Sequence, residues 1–257
     1  MRLGFSNLIA NSLSDSQLQE LLSLSDCIDW APSLTNPKWD LVDENGKATV
    51  ATLVPVSAIQ SLFFGVEGLH FMKSDAEFQV MLNHLQFLAK VADVYKAPFV
   101  LWGSPGTRNV DLSEVSDELI QQRLHAIYSV FANATTSFLI EAVSPNFGCK
   151  FINSSKQLVA LTERFSTYNV DLHLDTGQMI DEGLDVLDYI ESNIAQLKHI
   201  HLSEPDFAYT GKYNDLFADV MSLLTDKHYQ GDVVLEVQKV EPSKVNDLTL
   251  FYRTLKP

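Results

Sequence analysis

Four side chains carry the chemistry this sequence offers: Glu141, Asp175, His201 and Glu236. Each ends or directly follows a short apolar run, in SFLIEAV, VDLHLDT, LKHIHLS and GDVVLEV. They stand 34, 26 and 35 positions apart. Each interval holds one strand, one helix and two loops. That is the repeat of a (β/α) barrel, whose C-terminal strand ends meet around one rim. Residues distant in sequence are therefore expected to converge there. Two glutamates, an aspartate and a histidine make a hard, mostly oxygen donor set with three formal negative charges when all the acids ionise. Such a set suits a divalent metal ion: Mn²⁺, Mg²⁺ or Co²⁺, with Zn²⁺ also accommodated. One carboxylate at a strand end can equally cap a helix or pair with a lysine. Three carboxylates and a histidine, each at the end of an expected strand, are harder to read as surface charge.

Histidines flank this set. His199 precedes His201 by two and shares its side of the strand, so one is expected to bind metal and the other to orient it or touch substrate. His173 stands in the same relation to Asp175 and reads as a buried interior histidine.

Elements able to position these residues follow from periodicity. Strands are expected over Arg2–Ile9, Cys27–Ala31, Val50–Ser57, Pro98–Trp102, Ser137–Ala142, Val170–Leu174, Leu197–Leu202 and Asp232–Val237. Ser14 is placed to cap a helix over Asp15–Ser23. Further helices are expected over Asp75–Tyr95, Ser113–Ala132, from Ser154 or Ser155 to Phe165, over Asp181–Ile194, Tyr213–Thr225, and from Pro242 to Leu255. The polar stretch Ser33–Lys47 reads as a loop or short helix. The strand runs are continuous and apolar, as parallel strands covered by helices require. The expected fold class is α/β, a single (β/α)₈ TIM barrel with eight parallel strands and one domain over 1–257. About 250 residues is the usual size of such a barrel. No glycine-rich phosphate loop follows the first strand, which argues against an open doubly wound sheet.

Composition narrows the function. Formal net charge is −15, and an acidic surface repels phosphate backbones and anionic membranes, so nucleic-acid and membrane partners are not expected. No apolar run reaches the ~18 residues of a membrane span. The two cysteines, Cys27 and Cys149, form no CxxC motif and read as reduced thiols of a cytoplasmic protein.

The blocks IEAVSPNFG, LDTGQ, HIHLSEP and VVLEV resemble those of the xylose-isomerase-like barrel superfamily, in its sugar phosphate isomerase/epimerase-like members. VLWGSPGTRNV and SAIQSLFFGVEGLHFM resemble blocks of one of its subgroups, so the likeness spans nearly the whole chain. It implies that Glu141, Asp175, His201 and Glu236 are the metal ligands. It further implies a metal-dependent sugar or sugar-phosphate isomerase or epimerase. In that chemistry the metal polarises a carbonyl and its neighbouring hydroxyl. Glu141 and Glu236, as the catalytic pair, then remove and return a carbon-bound proton through an enediolate. A keto-polyol dehydratase and a non-catalytic barrel that binds a sugar or a partner are the alternatives.

The chain departs from the epimerase pattern at three places. Gln178 stands where those enzymes carry a histidine, Phe147 where they carry a second glutamate, and no arginine occurs between Pro205 and Lys212. The superfamily's DNA-repair branch is a poorer match, since Gln178 and Gly103 replace two of its zinc-binding histidines. Substrate contacts are expected from Trp102, Arg108, Asn146, Gln178, His199 and Glu204. Arg108 reads either as a bidentate clamp for phosphate or carboxylate or as the partner of an acid such as Asp111. Trp102, with Phe63 and Phe64, reads as a sugar-stacking wall or as aromatic core. Asn146 and Gln178 suit hydroxyl recognition, and Glu204 either orders its loop or meets a hydroxyl. A homo-oligomer is compatible with this reading.

Overall fold

The computed structural model describes residues 1–257 apart from Leu112, Glu114, Asn169 and Pro257. Eight parallel strands form one sheet: β1 (Arg2–Ser6), β2 (Cys27–Trp30), β3 (Val56–Ile59), β4 (Phe99–Trp102), β5 (Ser137–Ile140), β6 (Leu172–Asp175), β7 (Leu197–Leu202) and, after the two-residue β8 (Ala208–Tyr209), β9 (Asp232–Leu235). Their order is β5-β4-β3-β2-β1-β9-β7-β6. The helices are α1 (Asp15–Leu24), α2 (Asp75–Tyr95), α3 (Asp117–Phe131), α4 (Ser155–Arg164), α5 (Thr176–Asp181), α6 (Val186–Asn193), α7 (Asn214–Asp226) and α8 (Val245–Thr254). Parallel strands alternating with helices make this an α/β fold of the (β/α)₈ barrel class.

Two compact units divide the chain. The first is Met1–Trp30, Leu53–Ser57 and Leu172–Pro257; the second is Ala31–Thr52 and Ala58–Asp171. In the first unit β1 pairs with β2 and β9, and β9 with β7, which in turn pairs with β6. The register sets His173 beside His199, and Asp175 beside His201. It also sets His199 beside Asp232. Asp232 is buried and accepts from Arg2 and from the Ser57 hydroxyl, so its charge is compensated at the bottom of the sheet. A second small pairing joins β8 to β10 (Lys239–Val240), two strands too short to stand out in sequence.

In the second unit β4 pairs with β3 and β5, and an aromatic group fills the interior. Phe71 packs edge-on to Trp102 at 5.3 Å and stacks on Phe151 at 5.1 Å. Helix α2 occupies the span read from periodicity, with Ser74 accepting from Glu77 N as its N-cap.

Several bounds differ from the sequence reading. β3 begins at Val56, six residues after the expected start, because Pro55 has no N–H and its carbonyl is the first group to accept, from Ile28 N. The expected helix over Asp181–Ile194 begins only at Val186, since Asp185 accepts from Leu187 N and Asp188 N and caps α6 there, and the short α5 before it was not expected. Helix α3 starts at Asp117, with Ser116 as cap, rather than at Ser113; Glu114 lies outside the described residues. The expected last helix splits into a 3₁₀ turn over Pro242–Lys244 and α8. Among the described residues no helix is long and apolar enough to cross a membrane.

Candidate functional site

In the first unit the C-terminal ends of β6, β7 and β9 bring three of the four expected ligands together. Donor atoms of Asp175, His201 and Glu236 all lie within 4.8 Å of one another, and all three side chains are buried. His201 Nδ1 stands 3.0 Å from Glu236 Oε2 and 3.8 Å from Asp175 Oδ2. A cation with ligands at about 2.1 Å in octahedral array separates neighbouring donors by about 3 Å, so these spacings fit a divalent ion. The donor types fit as well: two carboxylate oxygens and one imidazole nitrogen face one point.

Local sequence holds each of them. Asp175 ends β6 and is also the N-cap of α5, its Oδ1 accepting from Gln178 N at 2.7 Å. Its Oδ2 accepts from the Ser203 hydroxyl at 2.7 Å, a residue at the end of β7. Gly177 permits this junction. A Cβ there would lie 2.7 Å from Ser203 Oγ and 2.9 Å from the Glu204 carbonyl oxygen. His201 sits on the same side of β7 as His199, and both are fully buried.

Beneath the ligands lies a residue the sequence reading did not single out. Asp29, in β2, accepts from His201 Nε2 at 2.8 Å and from His199 Nε2 at 3.1 Å. Burial alone pushes its carboxyl up, but His199 and His201 outweigh that and hold it below the usual carboxylate range. The available signal was an acid inside the four-residue strand CIDW, where every neighbour is apolar. His199 also meets His173, Nδ1 to Nδ1, at 3.1 Å. Both ring nitrogens of His199 therefore have protein partners, which places it in support of His201 rather than against a substrate.

Other expected contacts are engaged in the chain itself. The Gln178 side-chain amide donates to Glu182 at 2.7 Å. Glu204 accepts from Thr210 N at 2.9 Å and Gly211 N at 2.8 Å, so it orders its loop, one of its two expected roles.

In the second unit Glu141 directly follows β5 and is buried. Its carboxylate occupies the space a side chain at position 103 would take: a Cβ on Gly103 would stand 2.0 Å from Glu141 Oε2. Arg108 is fully buried, and this corrects the picture of a rim clamp. Its guanidinium donates to the carbonyls of Glu141 at 2.7 Å and Phe151 at 3.2 Å, and lies over the Trp102 ring. It braces the backbone that carries Glu141. Asp111, the expected alternative partner, instead accepts from Ser113. Trp102 is fully buried as well, its indole N–H donating to Thr107 Oγ1 at 2.8 Å, so of its two readings it takes the aromatic core. Asn146 is exposed, on a 3₁₀ turn after β5, beside Phe147, which is 40% exposed.

Comparison with known proteins agrees with this fold. A D-psicose 3-epimerase from Clostridium cellulolyticum H10, solved with D-tagatose, is similar over 99% of this chain and 96% of its own, with 15% identity and a TM-score of 0.71. An L-ribulose 3-epimerase is similar over 99% of this chain and 91% of its own, with 19% identity and a TM-score of 0.70. A 3-keto-D-glucoside 4-epimerase from E. coli is similar over 98% of each chain, with 16% identity and a TM-score of 0.69. At such identities the likeness is one of fold. No curated protein matches the chain. The model of one family, described as xylose isomerase-like TIM barrel, matches residues 29–253. The chain belongs to the xylose isomerase-like TIM barrel family.

Proposed function

We propose that the chain is a divalent-metal-dependent isomerase or epimerase of a sugar or sugar phosphate. The observation that carries this reading is the approach of Asp175, His201 and Glu236 to one point, with donor spacings a single cation satisfies. Glu141, at the end of β5, is assigned as the fourth ligand on the resemblance of its block and its strand-end position. Bound there, Mn²⁺, Mg²⁺ or Co²⁺, or else Zn²⁺, supplies Lewis-acid polarisation of a carbonyl and its adjacent hydroxyl.

The protein's residues do the rest. Glu236 and Glu141 are assigned as the pair that removes and returns the carbon-bound proton next to the carbonyl. Asp175 and His201 hold the centre without moving protons. Asn146, exposed after β5, is proposed to meet a substrate hydroxyl. Nucleic acid plays no part in this reading, and a cytoplasmic setting suits the buried free thiols of Cys27 and Cys149.

The test is direct. Wild-type protein with Mn²⁺ and a panel of ketoses and their phosphates is incubated in D₂O. Deuterium is expected at the carbon next to the carbonyl, by NMR. Glu236→Gln is expected to weaken Mn²⁺ binding in calorimetry at least tenfold and to abolish exchange. Metal-saturated protein that exchanges no substrate proton, or a Glu236→Gln variant with unchanged exchange, overturns the assignment. A wild-type protein that binds no divalent metal points instead to a sugar-binding barrel without catalysis.

A further inference from the structure

Asp29 belongs to no expected ligand set, yet it touches the one imidazole in it. Its two oxygens accept from two different histidines, Oδ2 from His201 Nε2 at 2.8 Å and Oδ1 from His199 Nε2 at 3.1 Å. All three side chains are fully buried. An ionised carboxylate only accepts, so both Nε2 atoms must carry protons. His199 Nδ1 lies 3.1 Å from His173 Nδ1, and the tautomers of the two rings decide which of them donates. His199 and His201 thus donate into one carboxylate, each from its own side.

We propose that Asp29 is the positioning residue of the centre: it locks the Nε2–H tautomer of His201 and thereby turns Nδ1 toward Asp175 and Glu236. The consequence for metal binding rests on the function proposed above; the tautomers do not. Without the lock, His201 could rotate or change tautomer and present a proton where the cation needs a lone pair. Carboxylates that receive the second N–H of a ligating histidine fix its ring and raise its basicity. The two rings stand at 74° to each other with centroids 5.0 Å apart, and one carboxylate reaches the Nε2 edge of both. Burial makes the arrangement hard to lose, since any of these groups left without its partner would be costly.

The full-length chain, labelled with ¹⁵N-histidine and free of metal, gives the first readout. The expected pattern is Nε2–H for both His199 and His201. Asp29→Asn and Asp29→Ala, checked for folding by circular dichroism, give the second. Folded variants are expected to bind Mn²⁺ tenfold to a hundredfold more weakly than wild type in calorimetry. They are also expected to shift the visible spectrum of bound Co²⁺, which a remote packing defect would leave alone. A wild-type His201 with a bare Nε2, or a folded Asp29→Asn variant with wild-type Mn²⁺ affinity, overturns the proposal. Should the wild type bind no metal, the function falls, and the ¹⁵N pattern alone decides the role of Asp29.

Discussion

The Asp175 carboxylate meets demands from two sides, and the residue that makes this feasible has no side chain. One oxygen caps α5, the other takes the Ser203 hydroxyl, and both bonds need the start of α5 pressed against the end of β7. The same approach is seen between Gly177 N and Ser203 Oγ at 2.9 Å and between the Thr176 hydroxyl and the Ser203 carbonyl at 2.8 Å. A methyl group at position 177 would meet backbone, which cannot step aside. Gly177→Ala is therefore expected to destabilise the protein by about 1–3 kcal/mol, the usual cost of overpacking. It should also weaken metal binding, because Asp175 moves with the helix start. Thermal melting and Mn²⁺ titration of the variant check both. At the same scale, Asp175, His201 and Glu236 could be read from sequence because each ends an apolar strand. Asp29 could not be assigned a partner, for an acid inside a strand names no recipient.

Among the elements, α2 was legible to the residue, since apolar positions recur at helical spacing from Phe78 to Ala92. The starts of β3 and α6 were not, because a proline's carbonyl and an aspartate cap act through a few hydrogen bonds that periodicity does not record. The loop before α2 carries a pH dependence of its own. His70 Nδ1 accepts from Met72 N and Lys73 N at 2.9 and 3.1 Å, and Nε2 donates to Asn109. Burial, the largest influence, lowers the affinity of His70 for a proton, against the opposing pull of Asn109. Protonation at Nδ1 would also break both backbone bonds. The folded state thus binds the proton more weakly than the unfolded chain. Stability contributed by neutral His70 is present above the ordinary histidine range and falls as pH drops through it. Urea unfolding at pH 7.5 and pH 5.5 is expected to show a loss of stability that is smaller in a His70→Asn variant, whose side-chain oxygen can still accept.

For the whole molecule, the two units are each assembled from separated stretches of chain, and β3 contributes residues to both. We propose that 1–257 unfolds as one domain, because the first unit needs chain from both sides of the second, and the second is interrupted by Leu53–Ser57 of the first. Differential scanning calorimetry is expected to give one transition with equal calorimetric and van't Hoff enthalpies. Two resolved transitions would refute it. The fold class was legible at this scale because eight apolar runs alternate with amphipathic helices, a pattern few other architectures share.

What the sequence determined by itself was therefore type and order: which residues lie on strands, which strand ends are polar, and which chemistry such polar groups suit. Those follow from local periodicity and side-chain chemistry, which are written in neighbouring positions. What only the tertiary structure decided was partnership. Arg108 donates to backbone carbonyls rather than to a ligand, Trp102 joins the core, and Asp29 binds two histidines about 170 positions away. The physical reason is that a buried hydrogen bond depends on how segments distant in sequence are brought together, and a register shift of one residue would turn the strand side chains Asp29 and Trp102 to the opposite face.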